Sequence, residues 1–238
     1  MSDAAPILIT GVGKRVGLHL ANTWLDRGQP VIGTYRTRRD SIDALAARGA
    51  DVVACDFDAE GDLERLAETV RARHARLRAI VHNASDWLPE SADTPPRTVF
   101  ERMMRVHAGA PYELNLALAD CLRAQAPEPA DIIHIGDYVS GRGSRKHIAY
   151  AASKAAQDNL TLSFAALLAP GVKVNSIAPA LVLFNEGDDE AYRKKALAKS
   201  LLRREGGLDE MMHQVDYLMN SRYVTGRIVH MDGGRHLA

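Results

Sequence analysis

Short apolar runs alternate along this chain with longer stretches whose apolar residues recur at helical spacing. The runs at 7–10 (ILIT), 30–35 (PVIGTY), 51–55 (DVVAC), 78–82 (RAIVH), 131–136 (DIIHIG), 172–178 (VKVNSIA) and 227–231 (RIVHM) have the length and bounding residues of buried strands. Between them, 17–27, 63–74 and 151–168 place apolar residues on one helical face. Strand-helix alternation of this kind predicts an α/β fold: a Rossmann-type, doubly wound parallel sheet of about seven strands with helices on both faces. No repeat, low-complexity block or linker interrupts it. Residues 180–207 break the rhythm with a charge-rich stretch holding two glycine-bearing turns, NEGDDE and EGG. This is the pattern of a lid over a cleft, or of a solvated surface excursion.

At 238 residues, 46% hydrophobic and 25% charged, the chain can bury one substantial core, so residues 1–238 read as a single domain. Its first half would bind a dinucleotide and its second half carry the catalytic and substrate-binding groups. Thirty basic and thirty acidic residues cancel, leaving no global field to favour nucleic acid or an anionic membrane. The expected partner is therefore a small molecule. Only Cys55 and Cys121 are present, no charged-then-apolar leader follows Met1, and no apolar run approaches the roughly 20 residues that span a bilayer. A soluble, cytoplasmic protein of a reducing compartment is expected, with no metal site.

The first strand runs directly into GVGKRVG, and a helix is expected to begin near Val16. That is the context of a dinucleotide-binding turn, in which glycines let backbone N–H groups approach a pyrophosphate at a helix start. Gly11, Gly13, Lys14, Arg15, Val16 and Gly17 are the candidates. The second strand ends in YRTRRD, where an NAD-binding unit would carry an acidic group for the ribose 2′-hydroxyl. Arg36, Arg38 and Arg39 would instead attract a 2′-phosphate, which points to NADPH. Downstream, Tyr150 and Lys154 stand four apart in HIAYAASKAA and would share a helix face. An ammonium beside a phenol would lower the phenol's pKa from about 10 and make it a proton donor near neutral pH.

The order of these motifs resembles the short-chain dehydrogenase/reductase family over nearly the whole chain: TGVGKRVG, Asp56 after the third strand, HNAS at 82–85, YAASK, and NSIAPA. The resemblance implies an oxidoreductase in which Tyr150 is the acid and Lys154 binds the nicotinamide ribose. It places Asn83 in support of the fourth strand and near the adenosine ribose, Asp56 at the adenine, and Ala84 and Pro179 beside the cofactor. A homotetramer is implied too, with the last strand and the DGGRHLA tail near a subunit interface.

Three departures from the common pattern resemble the pteridine reductase branch of that family. Arg15 stands for a glycine, Asp137 lies thirteen residues before Tyr150 in place of a serine, and Trp87 follows HNASD. A pterin is flat and electron-poor, so Trp87 would stack on it, worth about 0.5–1.5 kcal/mol beyond area burial. Arg15 would hold the pyrophosphate and face the pterin at once, and Ser85 would bond phosphate or pterin. Asp137 would accept from pterin N–H groups, or donate if burial keeps it protonated. The implied reaction is NADPH-dependent reduction of the C6=N5 imine of 7,8-dihydromonapterin to tetrahydromonapterin, with dihydrofolate as a further substrate. N5 would take its proton from Tyr150, Asp137 or water held by them. His107, where the family usually carries a relay asparagine, leaves the relay open. A generic carbonyl or 3-oxoacyl reductase and a non-enzymatic NADP(H)-binding regulator stay as alternatives. The first would favour a hydroxyl donor at 137; the second would not need Tyr150 and Lys154.

Overall fold

The computed structural model describes residues 4–91 and 93–238. The chain start at Met1, on which the expectation of no leader rests, lies outside the described residues. Seven parallel strands form one sheet in the order β3-β2-β1-β4-β5-β6-β7. They are β1 (Ile7–Ile9), β2 (Val31–Tyr35), β3 (Asp51–Ala54), β4 (Ala79–His82), β5 (Ala130–Ile135), β6 (Val172–Pro179) and β7 (Arg227–Met231), each within two residues of an apolar run.

The alternation of side chains along each strand builds two cores. Leu8, Ile32, Ile80 and Ile132 face α3 (Asp62–Arg73), α5 (Ala110–Ala117), α6 (Ala119–Arg123) and α7 (Ile148–Leu168). Ile7, Ile9, Val31, Val81 and Ile133 face α1 (Arg15–Asp26), α2 (Asp40–Ala47) and α9 (Leu208–Asn220). Each fully buried Leu, Ile or Val contributes about 1.5–3 kcal/mol, so covering both faces is what makes uninterrupted apolar strands stable. Strand order reverses between β1 and β4, and a crevice opens there beyond the strand carboxyl ends.

Two boundaries differ from the periodicity, and both matter to the site. Helix α1 starts at Arg15, two residues before its apolar stripe and one before the Val16 expected from the turn, and α7 at Ile148 rather than 151, which puts Tyr150 in the first turn of α7. The segment 180–207 is partly regular: α8 (Glu190–Leu197) is N-capped by Asp189, whose side chain accepts from Tyr192 N at 2.7 Å. Helix α4 (Pro96–Met104) runs into a π-helical turn, Arg105–Gly109, and then into α5. No helix among the described residues is long and apolar enough to cross a membrane.

Candidate active site

The crevice is a cleft of about 450 Å³ that gathers groups from the ends of β1, β2, β4, β5 and β6 and from α7. Every cofactor, substrate or catalytic residue assigned from the sequence lines it except Gly17, Arg38 and Trp87. Gly17 lies behind it: a Cβ there would sit 2.2 Å from Gly11 O and 2.5 Å from Asn83 Nδ2, so only glycine lets α1 close on the turn. Asn83 Nδ2 donates to Thr10 O and Gly11 O at 3.0 and 2.9 Å, tying β4 to the turn. Thr34 Oγ1 accepts from Gly11 N at 3.1 Å, and Ser41 donates to Gly13 O at 2.7 Å. The turn is thus fixed from three sides.

These surroundings fit a dinucleotide phosphate. Lys14 precedes α1 in extended conformation without a side-chain cap, so the helix N–H groups are left to an anion in the cleft. Arg36, Thr37 and Arg39 line the far end beside β2, which fits a 2′-phosphate. Arg38 does not join them; it turns to Asp43 and the Tyr35 hydroxyl. Arg36 donates to Asp86 Oδ2 at 3.0 Å, an oxygen that also accepts from Arg102 at 2.7 Å.

Arg15 has φ 53, the left-handed region that costs an L-residue roughly 1–2 kcal/mol, which explains a glycine in the usual turn. The guanidinium reaches across to the segment after β6. It donates to Leu183 O and Asn185 Oδ1 at 3.0 Å each and to Phe184 O at 3.4 Å. The side chain thus clasps the start of the 180–207 segment while lining the cleft.

The catalytic candidates converge. Asp137 follows β5 and caps a 3-10 turn, Tyr138–Gly141, with Oδ1 accepting from Val139 N at 2.9 Å. Its Oδ2 accepts from the Tyr150 hydroxyl at 2.9 Å. Burial pushes the Asp137 carboxyl up, against the lowering pull of Val139 N–H, Tyr150 and Lys154. Lys154 is buried; Nζ donates to Ile135 O at 2.8 Å and to Gln157 Oε1 at 3.3 Å, and burial pushes it down to about 8. The expected lowering of the Tyr150 pKa by Lys154 is overturned. Burial, then the charge of Asp137 and its hydrogen bond, push the phenol well above its ordinary value. The ammonium lies 5.9 Å from the Tyr150 ring centre and is directed at a carbonyl, not at the phenol oxygen.

Trp87 is 56% exposed, with its ring 4.5 Å from that of His147, and does not line the cleft. It is therefore neither a core aromatic nor a wall of the cleft. His107, in the π turn, is fully buried and meets the Tyr150 ring edge-on at 5.2 Å. Sequence reading missed two supports. Ser153, inside the YAASK motif, donates to Tyr150 O at 2.7 Å. Asp158, one further step of four from Lys154, accepts from Ser140 and Ser176 at 2.5 and 3.0 Å and so holds the turn that carries Asp137. The four-residue spacing Tyr150, Lys154, Asp158 was the available signal.

This nucleotide-binding crevice with a Tyr-Lys pair defines a class, and the sequence comparison agrees. A family profile described as enoyl-(acyl carrier protein) reductase matches residues 11–236, and the chain belongs to the short-chain dehydrogenase/reductase family. It is 55% identical over 232 residues to the dihydromonapterin reductase of Klebsiella pneumoniae subsp. pneumoniae, covering 98% of this chain and 97% of that one. The dihydromonapterin reductase of Escherichia coli O6:H1 is 51% identical over 236 residues, 99% of this chain and 98% of that one. Among solved structures, FolM alternative dihydrofolate reductase 1 from Brucella suis in complex with NADP superposes with a TM-score of 0.87 at 28% identity, covering 100% of this chain and 97% of that one.

Proposed function

We propose that this chain reduces 7,8-dihydromonapterin to tetrahydromonapterin with NADPH, and accepts dihydrofolate as a secondary substrate. The observation that carries the reading is the Tyr150–Asp137 pair in the cleft, seen in a chain 51–55% identical to dihydromonapterin reductases over nearly its whole length. A carboxylate accepts from N–H and favours positive character at a nitrogen, whereas a ketone oxygen gaining negative charge needs a donor. Asp137 thus disfavours the generic carbonyl-reductase alternative.

Bound NADPH supplies the hydride. The turn at Gly11 and Gly13, with the first N–H groups of α1, would hold the pyrophosphate; Arg36 and Arg39 would hold the 2′-phosphate. Asp56 would meet the adenine, Asn83 the adenosine ribose and Lys154 the nicotinamide ribose, with Ala84 and Pro179 also against the cofactor. Tyr150 keeps its proton at Oη and Asp137 orients that O–H, so the phenol would deliver the proton to the substrate's N5, directly or by way of Asp137. Trp87, next in sequence to the cleft-lining Asp86, would close over the pterin, and Arg15 would meet its polar edge from the segment it clasps. The enzyme would work as a cytoplasmic homotetramer; β7, the outermost strand, exposes Arg227 and His230 and supports an interface there.

The test is NADPH oxidation, followed by the cofactor's own absorbance, with dihydromonapterin, dihydrofolate and a 3-oxoacyl thioester offered separately. Turnover of dihydromonapterin ahead of the other two is expected. Turnover of the thioester alone would overturn the reading.

A further inference from the structure

The protons around His107 can be followed one at a time. Ser153 Oγ has a single hydrogen and lies 2.7 Å from Tyr150 O, a carbonyl that can only accept. Ser153 must therefore donate there. Toward His107 Nδ1, 2.9 Å away, the same oxygen can only accept, so Nδ1 carries the ring hydrogen. The imidazole is wholly buried, and burial together with the Lys154 ammonium holds it neutral. A neutral ring with its hydrogen on Nδ1 has a bare Nε2. Ser85 Oγ lies 2.8 Å from that nitrogen, while Asp86 O is 3.4 Å away at the long limit of a hydrogen bond; the Tyr150 hydroxyl, which also meets Ser85, has solvent and Asp137 for partners, whereas the buried Nε2 has no other donor. Ser85 gives its only hydrogen to His107.

Only lone pairs are then left on Ser85 Oγ to face the cleft that the residue lines. The chain ends on the Tyr150 carbonyl, which has no proton to pass on, so it sets direction and does not relay. An acceptor cannot bond an ionised phosphate, which removes phosphate from the two partners considered for Ser85.

We infer that His107 is a positioning residue that fixes Ser85 as a hydrogen-bond acceptor, and that Ser85 and Asp137 together select a substrate edge presenting N–H groups. This rests on the pterin reading, whose heterocycle offers such an edge, and it explains how the site reads that edge. An oxygen-only ketone substrate would face two acceptors and gain nothing from either.

Two measurements test it. Nitrogen-15 NMR of the wild-type protein labelled at histidine, with a His107→Gln variant to assign the signal, should show the Nδ1–H tautomer with an unprotonated Nε2. An Nε2–H signal overturns the proposal whatever the substrate proves to be. The second is a double-mutant cycle on dihydromonapterin reduction. Ser85→Ala and His107→Phe should each lower kcat/KM by about tenfold, chiefly through KM: the first removes the acceptor of a substrate N–H, and the second frees the Ser85 hydrogen to turn toward that N–H. NADPH affinity should stay near wild type. The double variant should be no worse than Ser85→Ala, since His107 acts through Ser85; additive losses would overturn the proposal. If His107→Phe does not fold, the tautomer measurement on wild type still decides. Wild type failing to turn over dihydromonapterin would sink the pterin reading, while the tautomer result would stand separately.

Discussion

The Tyr150 hydroxyl donates to Asp137 Oδ2 across 2.9 Å, so the proposed acid of the site is held by a carboxyl rather than by the lysine four residues on. A serine at 137 could turn its own hydrogen toward a ketone oxygen; the aspartate presents an acceptor and a second titrating group. Asp137→Ser is expected to lower kcat/KM for dihydromonapterin by at least about tenfold, roughly 1.4 kcal/mol of transition-state stabilisation. NADPH affinity, measured by fluorescence titration, should hardly move. Activity equal to wild type would return the protein to the carbonyl-reductase class.

Burial raises the Asp137 carboxyl, which fixes the sign of a pH effect. The folded state binds a proton there more tightly than the unfolded chain, so this stabilisation is full below the unfolded pKa of about 3.9 and is lost as pH rises through the folded value. Thermal unfolding across that window should show wild type losing ground to Asp137→Asn as pH increases. The kcat/KM profile of wild type should contain a group titrating above the ordinary aspartate range, absent from the Asn variant. Parallel stability curves for the two proteins would contradict the assignment.

Arg36 lines the cleft and is also paired with Asp86. Arg36→Gln removes the cation without setting a second carboxylate beside Asp86. The dissociation constant for NADPH should rise about tenfold or more while that for NADH changes little, as expected for one lost charge-assisted contact to a 2′-phosphate. Equal losses for both cofactors would remove Arg36 from cofactor selection.

With more than half of its surface exposed, Trp87 contributes little to the core. Trp87→Ala should shift stability by no more than about 0.5 kcal/mol, the usual range for surface changes, yet raise KM for dihydromonapterin. A steady-state comparison in which KM stays fixed would dismiss stacking on the substrate.

Lys154 is a buried cation with its pKa pushed from 10.5 to about 8, a difference of 2.5 that corresponds to a folding cost on the order of 3 kcal/mol at neutral pH. Lys154→Met should therefore leave the melting temperature unchanged or higher while abolishing turnover and weakening NADPH binding. A protein that melts much earlier would show instead that the bonds to Ile135 O and Gln157 outweigh desolvation.

Strand positions were legible because both sheet faces are covered, which forces apolar residues at consecutive positions such as Ile7, Leu8 and Ile9. Most of the cleft was legible for a related reason: motif residues sit where strands end, and strand ends share one edge of a parallel sheet. Directions of side chains were not. Spacing put Tyr150 and Lys154 on one helix face, but which carbonyl the ammonium reaches depends on the end of β5, 19 residues back along the chain. The loop after β4 has no periodicity, so nothing local told whether Trp87 faces core, cleft or solvent. Arg15 was seen as an exception to a glycine rule, yet its partners at 183–185 lie too far along the chain for any local pattern to name them.

That clasp makes the phosphate turn and the segment at 183–185 a thermodynamic pair. Three acceptors hold one guanidinium whose own backbone is in a disfavoured region, so displacing the segment frees the turn to relax, and reshaping the turn loosens the segment. By reciprocity of linked equilibria, whatever factor an ordered segment adds to affinity at the turn, a ligand at the turn returns to the segment's ordering. Occupancy at one end of Arg15 is therefore legible at the other, without any contact between the two ligands.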